Sequence, residues 1–175
     1  ASTSIGISLY GEKVGIQQFS MNNPYKGKKL SILGDSISTF AGYIPEGNLA
    51  YYPRGTVQTV NDTWWMKVIN GLDMELCIND SWGSSTVRGS SASSACNTRC
   101  QNLGEDPDVI IVWMGINDFV QEVPIGEYDG TTPVSVDTSK FRESYGIMLD
   151  KILTKYPKSE VFVCTLLQCE VESPI

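Results

Sequence analysis

The stretch that most constrains this chain is "DVIIVWM", residues 108–114, followed by Gly115. It is apolar on both faces and far too short to cross a membrane. A strand of this kind needs cover above and below, as in the centre of a parallel sheet flanked by helices. The segments around it fit that requirement. "KLSIL" reads as a first strand, and a helix capped near Asp62–Thr63 runs through "WWMKVINGL" to a stop at Gly71. "MELCIN" is a second strand. A serine-rich loop, "DSWGSSTVRGSSASS", leads to a short helix around "ACNTRCQNL". After the central strand comes a long loop from Gly115 to Asp137. A helix then places Phe141, Tyr145, Met148, Leu149, Ile152 and Tyr156 on one face at spacings of three and four. Pro157 closes it, and "EVFVCTL" is a fourth strand. Alternating strands and helices predict an α/β domain with a parallel sheet covered on both faces.

Residues 1–28 read as a separate piece. Ile5, Ile7 and Leu9 alternate before a Gly-Glu-Lys turn, and Val14 and Ile16 alternate after it, which predicts a hairpin. "NNPYKGKK" connects it to a domain expected over 29–175. The net charge of −7 excludes a basic footprint for nucleic acid. No apolar run reaches the length of a membrane span. The five cysteines cannot all pair internally. Cys77 and Cys164 lie in strand-like runs and read as inert core residues. Cys96 and Cys100 are separated by one helical turn. With no histidine in the chain they make a poor zinc site, and a local disulfide stays open.

In an open parallel sheet, ligands bind beyond the carboxyl ends of the strands. Gly34-Asp35-Ser36 follows the first strand, Asn79-Asp80-Ser81-Trp82-Gly83-Ser84 the second, and Gly115-Ile116-Asn117-Asp118 the third. Each set alone makes an ordinary turn. Together they offer a serine with donors for an oxyanion: the Ser36 N–H, a backbone N–H in the Gly83–Ser84 turn and the Asn117 amide.

"ILGDSIST", "NDSWGSST" and "WMGINDF" together resemble the SGNH/GDSL hydrolase superfamily over residues 29 to about 167. The resemblance implies a three-layer α/β/α flavodoxin-like fold and ester hydrolysis through an acyl-enzyme, with no metal or organic cofactor. It makes Ser36 the nucleophile. Ser36, Gly83 or Ser84, and Asn117 form the oxyanion hole, and Gly34, Asp35, Gly115 and Asp118 support the motifs. Two departures stand out. The glycine of the family's second block falls at Ser84 by register, with Gly83 one position early. The family's closing Asp-x-x-His, which supplies the base, has no counterpart, because the chain contains no histidine.

Three explanations compete. The chain is a fragment of a full esterase, or one piece of a domain completed by a second chain, or an inactive descendant used for glycan binding. The first two are favoured, since a parallel sheet of four strands leaves its last edge poorly covered. Asp35, Asp80 and Asp118 lie near the site, but an ordinary carboxylate is a poor base for a serine hydroxyl. The chain alone is therefore expected to hydrolyse esters little or not at all. The loop after the first strand carries Tyr43, Tyr51 and Tyr52; the loop after the third carries Phe119, Tyr128 and several acids. Polar, tyrosine-rich walls point to an acetyl or short acyl group on a carbohydrate rather than to a lipid, and the acidic charge fits an exported bacterial protein.

Overall fold

A computed structural model describes residues 23–127 and 137–166. The sheet has four strands: β1 (Lys29–Gly34), β2 (Glu75–Ser81), β3 (Val109–Trp113) and β4 (Glu160–Val163). All neighbours pair in parallel, in the order β2-β1-β3-β4. The predicted central strand is flanked by β1 and β4, and it is the sequence's most continuous apolar run. Gly34 lies level with Ser81 on one side and Trp113 on the other. The carboxyl tips of β2, β1 and β3 therefore share one rim.

Side-chain alternation divides the core into two layers. Leu30, Ile32 and Val109 face one way, packing with Phe40, Trp65, Ile69 and Met74. That cover is α1 (Trp64–Gly71), whose N-cap Thr63 accepts a hydrogen bond from the Met66 N–H. Leu33, Ile110 and Val112 face the other way, against α3 (Phe141–Lys155) and the loop that holds Val87, Cys96, Cys100 and Leu103. Met148 and Ile152 are fully buried there. The result is helix, sheet and helix in three layers, as the alternating pattern predicts.

Several local expectations change. β2 runs on through Asp80 and Ser81, so these residues lie in the strand instead of after it. The helix expected around 95–103 shrinks to a single 3-10 turn, Arg99–Gln101. The long loop after β3 opens with a short helix, α2 (Ile116–Val120). Cys77 and Cys164, read as core residues, are only partly buried, whereas Cys96 and Cys100 are buried, and all four are free thiols. Burial raises the Cys100 thiol to about 11. The N-terminal hairpin expected over 1–28 lies, up to residue 22, outside the described residues, as do Tyr128 and Cys169.

Candidate active site

Ser36 opens a one-turn 3-10 helix (Ser36–Ser38) directly after β1, and it is half-buried. The turn is set by its neighbours. Asp35 caps it, accepting from the Ile37 N–H at 3.0 Å. The Ser36 carbonyl accepts from the Thr39 N–H at 3.3 Å and from Thr39 Oγ1 at 2.8 Å. Gly34 has to be glycine, because a Cβ there would lie 2.5 Å from Ser38 Cβ and 2.7 Å from Ser81 Oγ. Ser38 is pinned from above, its carbonyl accepting from Trp65 Nε1 at 2.9 Å and Asn79 Nδ2 at 2.8 Å. The main chain at Ser36 is thus held on both sides. The Ser36 hydroxyl itself makes no hydrogen bond among the described residues.

The second contribution comes from the turn Trp82–Ser85, closed by the Ser85 N–H donating to the Trp82 carbonyl at 3.2 Å. Gly83 donates its N–H to the Leu49 carbonyl at 2.7 Å. A Cβ on Gly83 would sit 2.8 Å from that same oxygen, so close approach of the Leu49 loop requires glycine here. Its N–H is committed, which corrects the expectation that Gly83 is available as a donor. Ser84 takes the left-handed position of the turn, with φ of 60°. Ser84 is exposed, and its N–H has no partner among the described residues. The register shift seen in the sequence thereby has a physical reason. Glycine is demanded one residue early by packing, and a serine bears the left-handed backbone.

The third contribution is Asn117 in α2. Gly115, at φ of 123°, turns the chain out of β3 into this helix. Asn117 Nδ2 donates to the Ser85 carbonyl at 2.8 Å, which uses one of its two N–H groups and fixes the amide. Asp118 is buried, and both its oxygens accept from the next part of the loop, Val87 N–H at 2.8 Å and Arg88 N–H at 3.1 Å. α2 and the loop after β2 are therefore fastened at two adjacent residues.

The carboxylates near the serine are all engaged. Burial pushes Asp35, Asp80 and Asp118 above the usual carboxylate range, opposed by backbone N–H groups at Asp35 and Asp118 and by Arg99 at Asp80. Among the described residues none of the three bonds the Ser36 hydroxyl. Both oxygens of Asp118 are held by backbone N–H groups, Asp35 Oδ1 by the Ile37 N–H, and Asp80 Oδ1 by Arg99 and Asn48. They brace the site.

Sequence reasoning missed Arg99. Its side chain is 3% exposed and forms an ion pair with Asp80 at 3.1 Å. It also donates to the carbonyls of Gly34, Asp80 and Ser93 and to Ser85 Oγ. A lone arginine after a serine-rich loop carries no signal of such a role. Only the fold brings Gly34, Asp80 and Ser85 around it.

A family model described as GDSL-like lipase/acylhydrolase matches residues 28–174. Among solved structures, a Bacteroides ovatus protein named as GDSL-like lipase is 32% identical, with a TM-score of 0.71 over 79% of this chain and 72% of its own. A Bacteroides uniformis protein named in the same way is 34% identical, with a TM-score of 0.69 over 83% of this chain and 74% of its own. A Lactobacillus plantarum protein, 24% identical over 79% of this chain and 55% of its own at a TM-score of 0.54, shares the fold. No curated protein sequence matches the chain.

Proposed function

The chain belongs to the GDSL-like lipase/acylhydrolase family, and from that premise we propose that it is the nucleophile-bearing part of a serine esterase acting on acetyl or short acyl groups of a carbohydrate. The observation that carries this reading is the arrangement at the rim of β2, β1 and β3. A serine hydroxyl and a Ser84 N–H that have no partner among the described residues, and an Asn117 amide tethered by one proton, all follow neighbouring strand tips. In the reaction, Ser36 Oγ attacks the ester carbonyl. Negative charge develops on the former carbonyl oxygen, where the N–H groups of Ser36 and Ser84 and the free Asn117 N–H stabilise it. Collapse expels the alcohol and leaves an acyl-serine, which water then hydrolyses.

Both half-reactions need a base to take a proton from Ser36 or from water. The 175 residues hold no histidine, and the buried aspartates are committed elsewhere. We assign the base to a segment or second chain outside these residues. β4 supports this. Phe162 and Val163 are 44% and 49% exposed, and an apolar groove of about 260 Å³ runs beside Val68, Leu72, Ile111 and Phe162. Exposed Tyr43 and Tyr51 on the loop after β1 support a sugar substrate, since aromatic faces at a site's edge suit stacking on a ring. Tyr51 is backed by Tyr52 at 5.0 Å and by the Arg54 guanidinium.

The test is hydrolysis of p-nitrophenyl acetate and longer esters by the purified chain, with and without added imidazole as base. Little turnover is expected without imidazole. With it, the expected rate depends on Ser36, is highest for acetate, and falls about 10²–10³-fold in Asn117→Ala. Robust turnover without imidazole, abolished by Ser36→Ala, sinks the assignment of the base. Imidazole-dependent turnover above the rate of imidazole alone that is unaffected by Ser36→Ala sinks the esterase reading and leaves the scaffold a binding module.

A further inference from the structure

We propose that Arg99 is the positioning residue of the oxyanion pocket, setting the Asn117 amide and the Ser84 N–H through Ser85; this rests on the esterase reading above. A guanidinium has five N–H donors in a fixed fork, and here all five are used. Nε donates to Asp80 Oδ1 at 3.1 Å. Nη1 donates to Ser85 Oγ at 3.0 Å and to the Ser93 carbonyl at 2.9 Å. Nη2 donates to the Gly34 carbonyl at 2.8 Å and to the Asp80 carbonyl at 2.5 Å. One side chain thus joins the tip of β1, the tip of β2 and the loop after β2.

Ser85 is the link from Arg99 to the donors. Its hydroxyl accepts from Arg99, its N–H closes the turn that contains Ser84, and its carbonyl holds the Asn117 amide. The Gly34 carbonyl, two residues before Ser36, accepts from both Arg99 Nη2 and the Trp82 N–H. Arg99 is in turn fixed from the far side. Lys151 Nζ donates to the carbonyls of Cys96 and Asn97 at 2.7 and 2.8 Å, and Tyr156 OH donates to the Gln101 carbonyl at 2.9 Å. α3 therefore holds the 3-10 turn that carries Arg99. Lysine keeps the charge beside Asp80 but has no planar fork, so it cannot reproduce the set.

The experiment uses the full chain and two mild variants, Ser85→Ala and Arg99→Lys, because deleting the guanidinium outright would leave Asp80 buried and unpaired. The first readout is the ¹⁵N–¹H NMR spectrum. The Asn117 side-chain amide pair and the Ser84 N–H are expected to shift in both variants, while the resonances of α1 stay in place. Unmoved Asn117 and Ser84 signals in a folded variant overturn the proposal. The second readout is modification of Ser36 by an alkyl fluorophosphonate in imidazole buffer, followed by intact mass. The Oγ–P bond forms, fluoride leaves with the P–F electron pair, and imidazole takes the hydroxyl proton. Arg99→Lys is expected to slow labelling about tenfold, and to have a clearly smaller effect, carried by the Ser84 N–H alone, when Asn117 is already alanine. Additive losses overturn the proposal, since a merely structural role would weaken both backgrounds alike. Absence of labelling in the unmodified chain would count against the esterase reading, and the NMR shifts would still decide the role of Arg99.

Discussion

At the level of a single residue, Ser84 stands where the resemblance implies a glycine. A left-handed backbone costs an L-residue roughly 1–2 kcal/mol, and Ser84 bears it at φ of 60° with its side chain in solvent. Glycine there would relieve the strain but loosen the unfolded chain, an opposing term of about 0.5–1 kcal/mol. Ser84→Gly is therefore expected to stabilise the protein by about 0.5 kcal/mol, read as a higher urea midpoint at unchanged slope. The N–H donor is retained, so Ser36 labelling should not slow. A lower midpoint would show that the Ser84 side chain contributes something that its exposure conceals. The opposite result is expected at Gly83, where a Cβ would press on the Leu49 carbonyl. Adjacent residues thus carry opposite demands, and a sequence motif that asks only for a nearby glycine cannot separate them.

At the level of elements, the long periodic ones were legible and the short ones were not. β3 and α3 announce themselves by an unbroken apolar run and by a stripe at helical spacing. α1 is marked by Thr63 as its cap and ends at Gly71, where the sequence predicts its stop. α2 spans only Ile116–Val120, too few residues for a period to register, and it hides inside what reads as a loop. The site shows the same division. Ser36, Asn117 and Asp35 are found by motif and position, whereas Arg99 acts through carbonyls that the sequence does not bring near it. Asp118 lies between these cases, because its place in a motif is visible but its task is not. It fastens α2 to the loop after β2 through the N–H groups of Val87 and Arg88. Asp118→Ala leaves two such donors, one of them buried, without their acceptor. The expected loss is about 2–4 kcal/mol, measured by urea unfolding, together with faster hydrogen exchange at Val87 and Arg88. Slow exchange at those two amides in the variant would mean that the loop is held by other contacts.

For the whole molecule, the buried carboxyls and the acidic charge set a direction for stability against pH. Asp35, Asp80 and Asp118 all have folded-state values raised above 3.8, with burial the largest cause in each. The folded protein therefore binds protons more readily than the unfolded chain between 3.8 and those raised values. In that window the unfolded state holds fewer protons, so stability falls as pH rises. It is flat, for these groups, above the folded values. Relief of self-repulsion adds in the same sense, because a net charge of −7 shrinks as carboxylates protonate. Asp62 and Asp137, both partly buried, have lowered values for local hydrogen-bonding reasons and act the other way at more acid pH. The urea midpoint is therefore expected to rise as pH is lowered through the raised values of the three buried aspartates, and to fall only below about 3.8, where Asp62 and Asp137 take up protons. A midpoint that declines steadily from pH 7 downward would mean that the three buried aspartates remain ionised on folding, held by their N–H donors and Arg99 more strongly than burial opposes them. The same titration bears on the reaction. Carboxyls tied to the scaffold in this way change stability as they take up protons, but they do not reach the Ser36 hydroxyl, so added imidazole should set the pH dependence of esterolysis near its own titration.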